Sequence, residues 1–175
     1  MGYELVVIGA SKGGMRALQV VLGALPAGFP TPVAVALHRE KGSGEGLAAL
    51  LRKSTPLVVT EPEDKEAIRP GHIYLAPPDY HLLVEGTYFA LSIDELVEYA
   101  RPSVNVLFES AAEACRKGLI GVILTGENQD GARGLVAVKA YGGLAAAQDP
   151  TTSEAPSCRR PPSPQFPTRR SCRWR

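Results

Sequence analysis

Short apolar runs rich in valine, isoleucine, leucine and alanine recur along the chain and are separated by segments of mixed polarity. Continuous apolar runs of this kind are typical of strands that are buried on both faces of a sheet. The sequence therefore predicts six buried strands. They are LVVI at 5–8, VAVAL at 33–37, LVV at 57–59, IYLA at 73–76, LIGVIL at 119–124 and LAAA at 144–147.

Several of the intervening segments carry apolar residues at helical spacing. Residues 14–25 and residues 46–53 each place an apolar stripe on one face, which favours amphipathic helices packed on a core. The clearest helix is predicted over residues 103–117, between a serine cap and a glycine stop. A further helix is expected after Asp130.

One segment has the pattern of a β-hairpin. YHLLVEGTYFAL, at residues 80–91, is expected to turn at Glu85-Gly86 and to add antiparallel strands to the sheet. The alternation of strands and helices along the rest of the chain favours parallel pairing. The predicted fold is α/β, with a doubly wound, mostly parallel sheet in a Rossmann-like three-layer arrangement.

Length and charge divide the chain into a domain and a tail. At 175 residues, 45% of them hydrophobic, the chain is long enough for one domain with a sizeable core. Residues 156–175 hold six of the nineteen Lys and Arg and no acidic residue, so residues 1–155 carry a net charge of −5. We expect one domain at 1–155 that does not bind nucleic acid, followed by a basic tail rich in Pro and Arg at 156–175.

Cysteine usage and hydropathy indicate the compartment. Three widely spaced cysteines suit neither a disulfide framework nor a zinc site, so no metal is expected. No stretch approaches the roughly 20 apolar residues that cross a membrane. The first apolar run also lacks the flanking signals of a secretory leader. We expect a cytoplasmic protein without membrane insertion.

Polar side chains that directly follow strands are the candidates for chemistry, because sites in open α/β sheets form beyond the carboxyl ends of the strands. This criterion selects Ser11, His38, Asp79, Asp130 and Asp149. His81, at the start of the predicted hairpin, remains marginal.

Ser11 has three interpretations. It stands in GASKG, which matches the Gly-x-Ser-x-Gly elbow that exposes a nucleophilic hydroxyl before a helix. The amino-terminal N–H groups of that helix could stabilise an oxyanion. A serine in such a turn can also merely cap the helix. The same loop could bind a dinucleotide, although it lacks the middle glycine of that motif.

His38 suits a general base, because neighbouring strand ends lie about 4.8 Å apart and its side chain can reach the loop of Ser11. An acidic partner would orient the imidazole. Spacing does not rank Asp79, Asp130 and Asp149 for that role. Asp130 could instead be only the cap of the helix that follows it.

Five segments in order resemble the catalytic domain of chemotaxis protein-glutamate methylesterases, the CheB-type enzymes, over residues 3 to about 155. The segments are VVIGASKGG, HIYLAPPDYHL, RPSVNVLFESAA, VILTGENQDGARG and GGLAAAQDPTTSEAP. The resemblance implies Ser11 as nucleophile, His38 as general base and acid, and Asp130 as the residue that orients His38. It further implies that backbone N–H groups of Lys12 and Glu127 bind the oxyanion.

The resemblance also implies a reaction. The family's substrate is the methyl ester of a glutamate side chain on the cytoplasmic helices of a methylated chemoreceptor, and some members deamidate glutamine there. No cofactor or metal is implied. Without the family's usual receiver domain in this sequence, a separate regulatory protein is expected to supply any control by phosphorylation.

The sequence departs from the family pattern near the site. Lys12 stands where Thr is usual, Glu127-Asn128 where Met-Gly is usual, and Arg39-Glu40 where Met-Pro often follows the histidine. A carboxylate at position 127 would oppose an oxyanion unless it points to solvent. A catalytically inactive receptor-binding relative is therefore the first alternative, and a dinucleotide-binding domain the second.

The tail departs further. From Ser157 the chain reads SCRRPPSPQFPTRRSCRWR, whereas the family continues with an alanine-rich helix and a final Val-Leu-Pro-Leu segment. If each third codon base is joined to the first two bases of the next codon, residues 167–174 can encode an ending with Asp-Ala-Ala-Val-Leu-Pro-Leu. We therefore expect that the reading frame has slipped near Pro156, leaving an aberrant carboxyl-terminal tail.

Overall fold

The computed structural model describes residues 2–11, 14–38, 46–124 and 130–149. The strands are β1 (Leu5–Ala10), β2 (Val33–Leu37), β3 (Val58–Thr60), β4 (His72–Leu75), β5 (His81–Glu85), β6 (Tyr88–Ser92), β7 (Leu119–Ile123) and β8 (Leu144–Ala147). The helices are α1 (Gly14–Gly23), α2 (Gly46–Arg52), α3 (Val104–Cys115) and α4 (Ala132–Ala140), with a 3-10 turn at Arg116–Gly118.

The six predicted buried runs form one parallel sheet in the order β3-β4-β2-β1-β7-β8. The chain first forms β2, β3 and β4 on one side of β1, with β3 outermost, and then forms β7 and β8 on the other side. Crevices at such reversals of strand order are where open α/β sheets hold their ligands. The predicted fold class is confirmed. The strand order of the sheet reverses at β1.

Two apolar clusters cover the two faces of the sheet. On one face Val7 and Tyr74 pack with Leu107 and Phe108 of α3. On the other face sheet residues such as Ile8 pack with residues of α1 and α2. Residues of opposite parity along each strand therefore serve opposite faces, which is why the strands read as continuous apolar runs. This is the three-layer arrangement that the sequence predicts.

The hairpin forms where expected, but it does not extend the main sheet. β5 and β6 make a separate two-stranded antiparallel sheet. The apolar side chains of Leu82, Val84 and Phe89 are buried in the same cluster as the apolar face of α3. Burying that face against α3 takes the hairpin out of the plane of the main sheet, so the expected addition to the sheet was wrong.

The last strand is less buried than its sequence predicts. β8 pairs only with β7 in the described residues, and Leu144 is 51% exposed. Ala145 packs toward the cluster around α3 and α4, whereas Ala146 and Ala147 are exposed. The run LAAA is therefore an edge strand rather than a buried one. No helix in the described ranges is long and apolar enough to cross a membrane.

Candidate active site

Ser11 and His38 lie side by side at the carboxyl edge of the sheet. β1 and β2 pair in register up to Ala10 and Leu37, and the backbone N–H of His38 donates to the carbonyl of Ala10 at 3.1 Å. This bond fixes the backbone of His38 beside the residue that precedes the serine. Neighbouring strand ends therefore bring the two side chains together, as the sequence predicts.

The imidazole of His38 bridges a hydroxyl and a carboxylate. Its Nδ1 lies 3.2 Å from Ser11 Oγ, and its Nε2 lies 2.7 Å from Asp130 Oδ2. Because an ionised carboxylate only accepts, Nε2 carries a proton and Nδ1 is left to accept from the serine hydroxyl. The His38 side chain is 14% exposed and that of Asp130 is fully buried. Ser11 is partly exposed, so solvent can reach the serine end of the site, whereas the carboxylate of Asp130 is shielded from it.

Asp130 is held by more than His38. Its Oδ1 accepts from Ser103 Oγ and from the backbone N–H of Asn105, each at 2.9 Å, and its Oδ2 accepts from the Val104 N–H at 2.6 Å. Burial raises the pKa of this carboxyl, but the hydrogen bonds from His38 and these three donors outweigh it and hold the pKa below its usual value. Asp130 is therefore a stable anion beside the imidazole.

The carboxylate of Asp130 caps α3 rather than the helix that follows it. The N–H groups of Val104 and Asn105 at the start of α3 both donate to it, and Ser103 makes no cap bond with its own side chain. Ser103 does occupy the N-cap position of α3, as predicted, but its hydroxyl donates to the carboxylate instead of accepting from an N–H group of the helix. Asp130 also gains the favourable electrostatics of a helix amino terminus.

The cap of α4 comes from α3 in return. Asn105 Oδ1 accepts from the backbone N–H of Gly131 at 3.0 Å and of Gly134 at 2.8 Å. The possibility that Asp130 only caps its following helix was therefore wrong. The two helices exchange caps, and the exchange fixes the position of Asp130 relative to the sheet.

Glycine allows α3 to approach β1 closely. A Cβ on Gly9 would lie 2.3 Å from Val104 Cγ1, far inside van der Waals contact. The start of α3, with its N–H groups, can therefore lie against the end of β1, two residues before Ser11. The glycine at position 9 is explained by this close approach.

The other two candidate carboxylates are placed elsewhere. Asp79 Oδ1 accepts from Arg101 Nε at 3.0 Å and from Arg101 Nη2 at 2.7 Å. Asp149 is half-buried beyond β8, and β7 stands between that strand and β1. The geometry thus places Asp130, rather than either of these, against His38.

Part of the predicted site lies outside the described residues. Lys12 and Glu127, whose N–H groups were expected to bind an oxyanion, fall there, as do residues 39–40. α1 begins at Gly14, whose backbone N–H donates to the carbonyl of Ser11 at 2.7 Å. A helix amino terminus, which carries partial positive charge, therefore lies directly after the serine.

Sequence reasoning did not find the residues that hold Asp130. In the described part of the chain the buried polar residues are Thr55, His81, Ser103, Asn105 and Asp130. The last four form one hydrogen-bonded network, because the Ser103 N–H donates to His81 Nδ1 at 3.2 Å. The segment RPSVN carries two of them, and the polar pair before an apolar helix was the available signal.

A hydroxyl, an imidazole and a carboxylate in hydrogen-bonded series are the arrangement of serine hydrolases. The fold and site thus define an α/β protein with a hydrolase-type centre at the reversal point of its sheet. Comparison with known proteins narrows the class. A family model described as CheB methylesterase matches residues 6–160.

Individual relatives agree with the family model. A Leptospira interrogans protein named as protein-glutamate methylesterase/protein-glutamine glutaminase is 46% identical over 155 residues, covering 88% of this chain and 80% of its own. A Thermotoga maritima protein with these two activities in its name is 39% identical, covering 85% of this chain and 44% of its own. The chain belongs to the CheB methylesterase family and is a hydrolase.

A solved structure gives the same result. The crystal structure of the Thermotoga maritima CheB methylesterase catalytic domain superposes with a TM-score of 0.84 at 37% sequence identity. The match covers 88% of this chain and 84% of that one. The fold described above is therefore that of the CheB methylesterase catalytic domain.

Proposed function

We propose that this protein hydrolyses methyl esters of glutamate side chains on chemoreceptors, with Ser11 as nucleophile, His38 as general base and acid, and Asp130 as the residue that orients His38. One observation carries the proposal: the imidazole of His38 is hydrogen-bonded to Ser11 Oγ on one side and to buried Asp130 on the other. Membership of the CheB methylesterase family supplies the substrate class.

The reaction follows from these contacts. Ser11 Oγ attacks the ester carbonyl while His38 Nδ1 takes its proton, and the resulting imidazolium is stabilised by Asp130. His38 then returns the proton to the leaving methoxide, so methanol departs and a glutamyl-serine ester remains. Water, deprotonated by His38, attacks this ester, and His38 gives that proton to Ser11 Oγ as the free glutamate carboxylate is released. With glutamine as substrate, ammonia departs in place of methanol.

Backbone N–H groups complete the proposed site. The N–H groups of Lys12 and Glu127 are proposed to bind the oxyanion. Removing one donor from such a site typically costs about 10²- to 10³-fold in rate. A side chain at these positions affects the reaction through the backbone geometry it permits and, at Glu127, through a negative charge that opposes the oxyanion unless it points to solvent.

The partner and the compartment follow from the proposed substrate. The methylated segments are proposed to be the cytoplasmic helices of a chemoreceptor, so we propose a cytoplasmic location. A separate regulatory protein is proposed to control the enzyme.

An activity probe tests the nucleophile. A fluorophosphonate should label the wild-type protein at Ser11, and Ser11→Ala and His38→Ala should abolish labelling. Ser54→Ala is the matched control. Ser54 precedes β3 and therefore lies at the amino ends of the strands, whereas Ser11 lies at their carboxyl ends, and its hydroxyl accepts a hydrogen bond from Gln19. Absence of labelling in wild type, together with binding to receptor, would instead favour the inactive receptor-binding relative.

Product analysis tests the substrate. Incubation with a methyl-esterified receptor fragment should release methanol, and incubation with an unmodified glutamine-bearing fragment tests for ammonia. Labelling of Ser11 without release of either product would show an esterase that acts on another substrate. Retention of a nicotinamide cofactor without labelling would favour a dinucleotide-binding domain.

We also propose that the catalytic domain spans residues 1–155 and that 156–175 is a tail read in a shifted frame. Two observations support this: the tail's composition changes abruptly, and β8 leaves Leu144 half exposed in the described structure. Sequencing the gene through codons 150–175 and measuring the intact mass of the natural protein test it. An unbroken frame encoding the basic tail, found in the mature protein, would refute the proposed shift.

A further inference from the structure

His81 is a buried histidine that the proposed reaction does not use. It is the first residue of β5, pairs with Ser92 across the hairpin and is only 1% exposed. A buried imidazole needs a partner for each ring nitrogen. Both partners are present, and one of them leads to the site.

The two ring nitrogens of His81 have different roles. Nε2 lies 3.0 Å from the carbonyl oxygen of Glu95, which only accepts, so Nε2 carries the proton. Nδ1 therefore has a free lone pair, and it accepts from the backbone N–H of Ser103 at 3.2 Å. His81 is thus the hydrogen-bond acceptor for a fully buried residue that would otherwise leave an unsatisfied donor.

Ser103 connects His81 to the carboxylate. Its backbone is extended, with φ −99° and ψ 137°, and its hydroxyl donates to Asp130 Oδ1 at 2.9 Å. The N–H of Ser103 points to His81 while its Oγ points to Asp130, so His81 sets the orientation from which the hydroxyl reaches the carboxylate. Asp130 in turn holds His38 against Ser11.

We propose that His81 is a positioning residue for the hydrolysis, acting through Ser103 on the hydrogen bond between Asp130 and His38. This inference rests on the proposed function of the Ser11, His38 and Asp130 group. His81 does not touch the reacting atoms. It provides the acceptor that fixes the Ser103 backbone. Without His81, the position of the Ser103 hydroxyl, which donates to Asp130, is no longer fixed.

Two substitutions separate the contact to Ser103 from the contact to Glu95. His81→Leu removes both nitrogens at similar volume. His81→Asn keeps an acceptor oxygen where Nδ1 stands and loses the bond to the Glu95 carbonyl. His72→Asn is the matched control, because His72 lies at the amino end of β4, away from the site, where Nδ1 contacts the Pro70 carbonyl.

We expect His81→Leu to lower kcat by about 10- to 100-fold, the cost of misplacing a catalytic group by a fraction of an ångström to an ångström. KM should change little, since His81 is buried and does not contact substrate. His81→Asn should recover most of the lost kcat, and His72→Asn should behave as wild type. Equal impairment of the Leu and Asn variants would refute action through Ser103.

A spectroscopic readout makes the test independent of turnover. The proton shared by His38 Nε2 and Asp130 should give a far-downfield resonance in the wild type. It should shift or broaden in His81→Leu and return in His81→Asn. An unchanged resonance and an unchanged kcat in His81→Leu would overturn the inference. If the wild type itself releases no methanol, the proposed function fails, whereas the resonance still decides whether His81 positions Asp130.

Discussion

Replacing Asp130 by alanine should weaken folding as well as abolish catalysis. The carboxylate accepts four hydrogen bonds, from His38, from the Ser103 hydroxyl and from the N–H groups of Val104 and Asn105. The alanine variant leaves the two N–H groups at the start of α3 without their partner. Its effect therefore combines the loss of a helix cap with the loss of an orienting carboxylate.

The magnitude follows from these bonds. Loss of a helix cap alone costs about 0.5–2 kcal/mol. Each buried donor left unsatisfied costs about 1–3 kcal/mol. Removing the charge also relieves the carboxylate's own desolvation penalty, which offsets part of the loss. We expect Asp130→Ala to lower the free energy of unfolding by about 2–4 kcal/mol, and to lower kcat by about 10⁴-fold, as loss of the orienting carboxylate does in serine proteases.

Urea denaturation followed by circular dichroism measures the first effect, and methanol release measures the second. Ser11→Ala is the matched control, because it removes the nucleophile and leaves the cap exchange in place, so its stability should stay within about 0.5 kcal/mol of wild type. An Asp130→Ala protein that unfolds at the same urea concentration as Ser11→Ala would refute the structural role given to the carboxylate.

Three further predictions concern acid, packing and thiol chemistry. Because the folded-state pKa of Asp130 is lowered, its ionisation stabilises the fold above about pH 4 and this contribution is lost as the pH falls through the folded pKa; the stability gap between wild type and Asp130→Asn in urea should therefore narrow on acidification, and a constant gap would contradict it. Gly9→Ala forces a Cβ to 2.3 Å from Val104 Cγ1, so it should lower the unfolding free energy by about 1–3 kcal/mol in the same assay, whereas Gly28→Ala, which meets nothing within 4 Å, should not. Burial raises the pKa of the Cys115 thiol to about 11. With the two tail cysteines replaced by serine, its reaction with a disulfide reagent at neutral pH should therefore be at least about 10-fold slower than that of an unperturbed thiol. An equally fast reaction in the folded protein would contradict the raised pKa.

Much of the fold could be predicted from local pattern. Strands buried on both faces require continuous apolar residues, so runs such as VAVAL at 33–37 can be recognised as buried strands in the sequence. The proximity of Ser11 and His38 can also be predicted, because each residue follows a strand and the carboxyl ends of neighbouring parallel strands meet at one edge of the sheet. What local pattern does not contain is the packing partner of each element. The sequence therefore predicts the hairpin as an addition to the sheet, whereas in the structure its apolar face is buried with that of α3.

The third member of the site shows the same limit. Asp79, Asp130 and Asp149 all follow strands, and their spacing carries no information about which one reaches His38. The choice is made by α3, whose start lies against β1 because Gly9 has no side chain. Ser103 and Asn105 resemble ordinary helix-start residues in the sequence. Their partners lie more than twenty residues away, so only the folded chain shows that they hold Asp130.

The exchange of caps between α3 and α4 has a consequence for how relatives of this protein diverge. A lineage that loses the esterase reaction is free to replace Ser11, because its hydroxyl contributes little to folding. Asp130 cannot be replaced in the same way, because its loss leaves the N–H groups at the start of α3 without an acceptor. Inactive descendants should therefore keep the aspartate long after the serine has gone. In surveys of such sequences Ser11 and His38 report on catalysis, whereas the aspartate reports on an intact domain.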